Sequence, residues 1–284
     1  MLAAGASECG QVPYYSNQWI NVSITIPSAL KAPRVDGTLR VFVKANGIQY
    51  SENFYDIVFV APAWASGNKP VRAVVIDPQG KAPLQINGLR SGRSLRELKP
   101  KDVAVLCNAA DMLREPENIR LLKQFVNDGG RVLALHAGEA LINMFPDQLK
   151  GFRLHPGEIA AMRIPESPAF DGLDPLDLAW WELGGGAIPQ ACRGSYQIDS
   201  SRNDIRSLAD AIDFHGYLNS PADFVKVSGS PLLEIRMGKG RILASEMMLL
   251  EASPFDPIAR RLFSNLILTL STDAPAWKRV DVAE

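Results

Sequence analysis

The residues most able to do chemistry in this chain stand where apolar runs end. In "RVLALHAGEAL", residues 131–141, an apolar run breaks at His136, reaches Gly138 two residues later, and continues with helical spacing. A strand that turns sharply into a helix carries the nucleophile of many α/β enzymes at the break. For acyl transfer that residue is a Ser or Cys activated by a nearby base. Here the break holds an imidazole, so a general base stands where the attacking group belongs. Glu139, in the turn that follows, is placed to orient it. Glu246 closes a second apolar run, "RILASE".

Ligands of open α/β sheets bind beyond the carboxyl ends of the strands. That rule selects Asp77, Asn108, His136 with Glu139, and Glu246 as candidate site residues. Each also has a plain structural reading. A buried His136 would bond to backbone, the glutamates would cap or pair locally, and Asp77-Pro78 would form a turn. His136, Glu139 and Glu246 are metal-ligand types, but no HxxH or HxH spacing supports a site, so neither metal nor cofactor is expected. His155 and His215 fall in irregular stretches that nothing in the sequence brings to His136. In "AWWELGGG" the adjacent Trp180 and Trp181 suit a sugar-stacking platform. The alternative is one core indole and one covering a domain seam.

The elements that must position these residues are legible in part. From Trp19 to Trp64 the pattern is β: "WINVSITI", "GTLRVFVKA" and "NFYDIVFVAPAW" alternate apolar and polar residues, the period of half-buried antiparallel strands. Three strands are too few for a sandwich of ~7. "ASGNKP", 65–70, is a Gly/Pro linker. Beyond it, "VRAVVIDP" (71–78), "DVAVLCNA" (102–109) and "RVLALHAG" are continuous apolar strands. "PENIRLLKQFVNDGG" (116–130) is an amphipathic helix with Pro116 in its first turn and Gly129 at its stop. Buried strands alternating with helices imply a parallel sheet covered on both faces. The region 150–230 reads as loop-dominated. "PLLEIRMGKGRILASEMML" (231–249) reads as a hairpin around a Gly-Lys-Gly turn. "DPIARRLFSNLILTL" (256–270) is a closing helix, with Pro275 beyond it and a tail at 273–284.

Whole-chain properties narrow the function. The 284 residues carry a formal net charge of −1, which favours neither nucleic acid nor an anionic membrane as partner. No apolar run approaches the ~18 residues of a membrane helix, and the first residues lack the basic start and apolar core of a signal peptide, so a soluble chain is expected. Cys9, Cys107 and Cys192 are too scattered for a disulfide framework or a zinc set. Cys107, inside an apolar run, reads as a buried inert thiol.

Taken together, the order of elements in 68–272 resembles the class I glutamine amidotransferase-like fold, a flavodoxin-like three-layer α/β domain. That fold's elbow is Gly-x-Cys-x-Gly, whereas this chain has Ala134-Leu135-His136-Ala137-Gly138. Its late His-x-Glu falls at Ala244-Ser245-Glu246, which lacks the histidine. A closer resemblance is to the amidotransferase-like accessory domain of some glycoside hydrolase family 2 proteins. It is carried by "FVNDGGRVLAL", "SPAFDGLDPLDLAWW" and "MGKGRILASEMMLLEASPFDPIARRLFSNLI". The strands before residue 64 then resemble the end of an immunoglobulin-like domain. The resemblance implies a short antiparallel segment at 1–64, an α/β domain with a mostly parallel sheet at 71–272, and no catalytic residue carried over. Retaining glycosidases need two carboxylates about 5 Å apart on a barrel of ~250 residues, and no such barrel fits here. The implied partners are carbohydrate, a catalytic glycosidase domain, or further copies of the chain.

Overall fold

The structure is a computed structural model that describes residues 4–11, 20–26, 30–67, 72–78, 80, 88–214 and 225–272. The tail at 273–284 with Pro275, His215, Trp19, and the linker from residue 68 lie outside the described residues. The chain divides into two compact units, Met1–Trp64 and Ala65–Glu284.

The first unit is built on one hairpin. Strands β1 (Arg34–Ala45) and β2 (Ile48–Val60) pair antiparallel. The turn is Asn46-Gly47, both at positive φ, which matches the twist of the flanking strands. Arg34 lies 5.7 Å over the Trp64 ring. The strand expected across 20–26 is not formed, since these residues take no strand pairing. Among the described residues no strand pairs with them to satisfy the backbone that their alternation would need.

A short helix, α1 (Pro62–Ala65), stands at the junction of the units. The second unit holds strands β3 (Ala73–Ile76), β4 (Leu89–Gly92), β5 (Val103–Leu106), β6 (Arg131–Leu135), β7 (Leu149–Gly157), β8 (Ile159–Met162), β9 (Cys192–Ile198), β10 (Ile205–Phe214), β11 (Val225–Met237) and β12 (Gly240–Ser245). Its helices are α2 (Ala109–Met112), α3 (Pro116–Asn127), α4 (Glu139–Met144), α5 (Leu249–Ala252) and α6 (Pro257–Ser271). One sheet runs β4-β3-β5-β6-β12-β11-β10-β8, with β7 and β9 joined to it through β11. The first five strands of that path are mutually parallel. In chain order they read 2-1-3-4-5, the flavodoxin-like arrangement.

Alternate residues of these strands feed two cores. Val75, Val105, Leu133 and Leu243 pack with Leu262, Phe263 and Leu266 of α6. Val74, Ala104, Leu106, Val132 and Ile242 pack with Leu122, Phe125 and Val126 of α3. Both sheet faces are therefore buried, which explains why the strands read as unbroken apolar runs and makes the domain a three-layer α/β structure. α6 begins where Asp256 accepts the Ile258 and Ala259 amides at 2.8 and 3.1 Å, with Pro257 in its first turn.

One expectation fails in this unit. The stretch 150–230 supplies most of β7 and all of β8, β9 and β10, and the start of β11, instead of mainly loop. Their register shifts at bulges between Ser207 and Ile212 and between Leu149 and Gly157. Bulges break the period-2 signal from which strands are read. The Pro-rich part, 164–186, is loop with two 3₁₀ turns. Among the described residues no helix is long and apolar enough to cross a membrane.

Candidate functional site

His136 directly follows β6 and Glu246 directly follows β12, its parallel neighbour. The two fall side by side because both strands end at the same sheet edge. His136 sits in left-handed backbone at φ 56°, an uncommon conformation for a residue with a Cβ. Its amide donates to the Ser245 carbonyl at 2.9 Å and its carbonyl accepts from the Ala110 amide at 3.1 Å. The ring is enclosed, with 1% exposure. Its Nε2 lies 3.2 Å from the Met247 carbonyl and 3.7 Å from Glu251 Oε2. Nδ1 has no hydrogen-bond partner. Burial, with help from the Arg193 charge, brings the imidazole down to about 4, against a smaller opposing pull from the Met247 carbonyl. The ring is therefore neutral at pH 7, and Nε2 reaches Met247 as a donor.

Glu246 is fully buried. Its Oε1 accepts the Gly138 amide at 2.8 Å and the Tyr196 hydroxyl at 2.5 Å. Oε2 lies 3.5 Å from Arg193 Nε without a hydrogen bond. Burial pushes this carboxyl up, opposed by Tyr196, Gly138 and Arg193. Tyr196 is raised well above the ordinary phenol range, first by burial and then by the Glu246 charge. Half-buried Glu251, on α5, is also raised by burial. The assembled group is thus His136, Glu246, Glu251, Arg193 and Tyr196.

Only His136 and Glu246 of this group were candidates from sequence. Arg193 and Tyr196 lie on β9, inside the stretch read as loop. Glu251 sits five residues past Glu246 in "SEMMLLEA", where only the α5 turn brings it back to the ring. Glu139 does not join them. It is exposed on the first turn of α4, and no hydrogen bond or ion pair links it to His136. His155 is half-exposed on β7, with Nε2 3.3 Å from Asp213, which also takes Arg153 at 2.8 Å.

Asp77 and Asn108 belong to a second place. They follow β3 and β5, between which the strand order reverses. Asn108 is left-handed at φ 50° and opens α2 without a side-chain cap bond. A cavity of about 320 Å³ lies here, lined by Arg93, Ser94, Leu95, Asn108, Asp111 and Met112 among others. Cys107 beneath it is raised to about 12, by burial and then by the Asp77 charge. That agrees with an inert thiol.

The two indoles part company. Trp181 is 1% exposed and donates from Nε1 to the Asp177 carbonyl at 2.7 Å, so it offers no face to a ligand. Trp180 is 58% exposed, left-handed at φ 49°, and donates to Glu158 at 3.2 Å. Among the described residues no group of three or more His, Cys, Asp or Glu is disposed to hold a metal ion.

No family model and no curated protein matches the chain. Solved structures are similar at low identity. A ThuA-like protein from Bacteroides uniformis shares 13% identity at a TM-score of 0.44, over 71% of this chain and 91% of that one. A cytoplasmic protein from Salmonella typhimurium shares 14% at 0.40, over 83% and 96%. A β-galactosidase from Bacillus circulans shares 14% at 0.37, over 68% of this chain but only 26% of its own.

Proposed function

We propose that the chain is a non-catalytic, amidotransferase-like accessory module associated with a carbohydrate-active enzyme, acting by packing, self-association or weak carbohydrate contact. The observation that carries this reading is the enclosure of His136. An attacking group or base must reach substrate, and this ring is 1% exposed and faces the Met247 carbonyl. An imidazole held near 4 is also a poor base at neutral pH, where the best catalytic base has its pKa near the working pH. Glu246 is engaged in holding the elbow, through Gly138, to β9, through Tyr196. The association with carbohydrate-active enzymes rests on the sequence resemblance alone. The test is incubation of the protein with chromogenic glycosides, esters and glutamine. No turnover above background is expected. Turnover that disappears in His136→Ala would overturn the reading.

A second reading has one observation in its favour. His136 Nδ1, Glu246 Oε2, Glu251 Oε2 and Arg193 Nε are all buried atoms without hydrogen bonds. Such a cluster suits a hydrolase that uses His136 as base with Glu246. It predicts turnover in the same assays, and stoichiometric metal in the purified protein if the chemistry is metal-assisted. A carbohydrate-binding role at the indoles reduces to Trp180, and oligosaccharide binding unchanged by Trp180→Ala would exclude it.

A further inference from the structure

The starts of the parallel strands carry cations that the His136 cluster does not use. Arg72 stands just before β3, Lys101 two residues before β5, and Arg131 at the head of β6. Arg90 is the second residue of β4. These strands pair in parallel and so begin at one edge of the sheet, where their first residues are gathered. The four cations line a cavity there of about 530 Å³, within the roughly 300–1,000 Å³ typical of small-molecule sites. Buried Ala73 and Val74 form its floor. It lies at the opposite end of the sheet from His136 and Glu246, which follow β6 and β12.

The charges around this cavity decide the ligand class. Arg72, Arg90 and Lys101 are exposed and form no ion pair among the described residues. Arg131 is already engaged, donating to the Leu270 carbonyl at 2.9 Å, and is not counted. Three like charges around one concavity focus their field on an anion. The net charge of the chain is −1, so the attraction is local and suits a small molecule, not a nucleic acid. A monocarboxylate answers one cation of the three. A phosphate monoester brings a charge of about −1.5 to −2 at pH 7 and three acceptor oxygens. Guanidinium forks match those oxygens in pairs. Asp102 is the one carboxylate among the lining residues, and it accepts the Lys99 amide at 2.8 Å. It opposes a bare anion, but a carboxylate has about four acceptor positions, enough to take hydroxyl donors from the body of the same ligand.

We propose that this cavity binds a small phosphate monoester with a hydroxyl-bearing body, of the sugar-phosphate type. Arg72, Arg90 and Lys101 hold its phosphate, and Asp102 takes its hydroxyl donors. The site is independent of the non-catalytic reading, since binding here needs no turnover and leaves the His136 assays unaffected.

Titration calorimetry and thermal shift of the full chain at one fixed ionic strength test it. The probes are glucose-6-phosphate, β-glycerophosphate, inorganic phosphate, citrate and glucose. Saturable binding of both phosphate esters is expected, with glucose silent and citrate at least roughly tenfold weaker. Arg72→Gln, Arg90→Gln and Lys101→Gln should each weaken ester binding by roughly tenfold, the scale of one lost charge-assisted contact. All three positions are exposed, so the melting temperature of the free variants should stay that of the parent. Asp102→Asn keeps an acceptor for the Lys99 amide and removes the negative charge. It should tighten inorganic phosphate while bringing the esters no gain. Arg163→Gln, at an exposed pair with Asp210 on β10, is the control for general charge and should leave ester binding unchanged. The proposal is overturned if neither ester binds saturably at millimolar concentration, or if two or more of the three cation variants bind as the parent does. It is equally overturned if citrate or glucose matches the esters, or if Arg163→Gln weakens binding as much as the cavity variants.

Discussion

At the scale of single residues, His136 sets a pH dependence whose sign is fixed. In the folded chain the imidazole is brought down to about 4 from an ordinary value of 6.5. As pH falls through that window the unfolded chain takes up a proton and the folded chain does not, so stability is lost and the loss is complete below 4. At about 1.4 kcal/mol per pH unit, the window from 6.5 to about 4 sets an upper bound of about 3.5 kcal/mol. Glu246 and Glu251, raised by burial, act in the other direction, because the folded chain protonates them first. They offset part of the loss. Melting temperature should therefore fall from pH 7 toward about pH 5, and His136→Asn should flatten the fall. Asparagine is the apt replacement because it tolerates positive φ. Equal slopes for the two proteins would remove His136 as the cause. Tyr196→Phe is the partner experiment. It takes one of two donors from the buried Glu246 Oε1, a change that costs about 1–3 kcal/mol. Urea unfolding should read it directly. The sequence showed that His136 and Glu246 end strands. It did not show Tyr196, whose role exists only because β9 reaches β11 and lies against the elbow.

At the scale of elements, legibility tracked periodicity. The parallel strands β3, β5 and β6, the helices α3 and α6, and the β11–β12 hairpin all carry clean patterns, and all stand close to where those patterns placed them. The first-unit strand at 20–26 and the loop expected across 150–230 went the other way. In the first, alternation was present but no partner strand accompanies it among the described residues. In the second, partners exist but bulges and glycines hide the alternation. The β11–β12 turn shows how a local motif serves a distant contact. Gly238 is left-handed at φ 57°, as a tight turn requires. Gly240 is glycine for a different reason: a Cβ there would enter the carbonyl oxygens of Gly130 and Val126, at the end of α3. "GKGR" is thus a hairpin turn packed onto a helix end, which explains both glycines without a phosphate. Gly240→Ala should cost about 3 kcal/mol or more, since backbone on both sides must move. A denaturation midpoint within error of the parent would refute this packing.

At the scale of the whole domain, a charge network locks the antiparallel extension to the parallel core. Glu234 on β11 is 1% exposed and takes Arg206 of β10 at 2.7 Å and Arg241 of β12 at 3.1 Å. Arg241, also buried, donates onward to the Thr269 and Thr272 carbonyls at the end of α6. The Thr269 carbonyl also accepts the Thr272 amide and hydroxyl at 3.4 and 2.9 Å, so the arginine joins the capped last turn of α6 to the sheet. The arrangement is poor value as raw stability, because burying charges costs about what their attraction returns. Its signature is non-additivity. Glu234→Gln should cost about 3–5 kcal/mol, because the Arg241 charge is left in a site that water does not reach. Arg241→Met should be costly too, because the buried Glu234 carboxylate loses one of its two arginine partners. Glu234→Leu combined with Arg241→Met should cost clearly less than the sum of the single changes, with a coupling in the upper part of the roughly 0.5–3 kcal/mol found for contacting residues. Arg206, at 24% side-chain exposure, can turn to water once Glu234 is gone. It should contribute little to that coupling, and the cycle repeated in an Arg206→Gln background should return nearly the same value. Additive single effects in urea unfolding would mean that β11, β12 and α6 are held together by apolar packing alone.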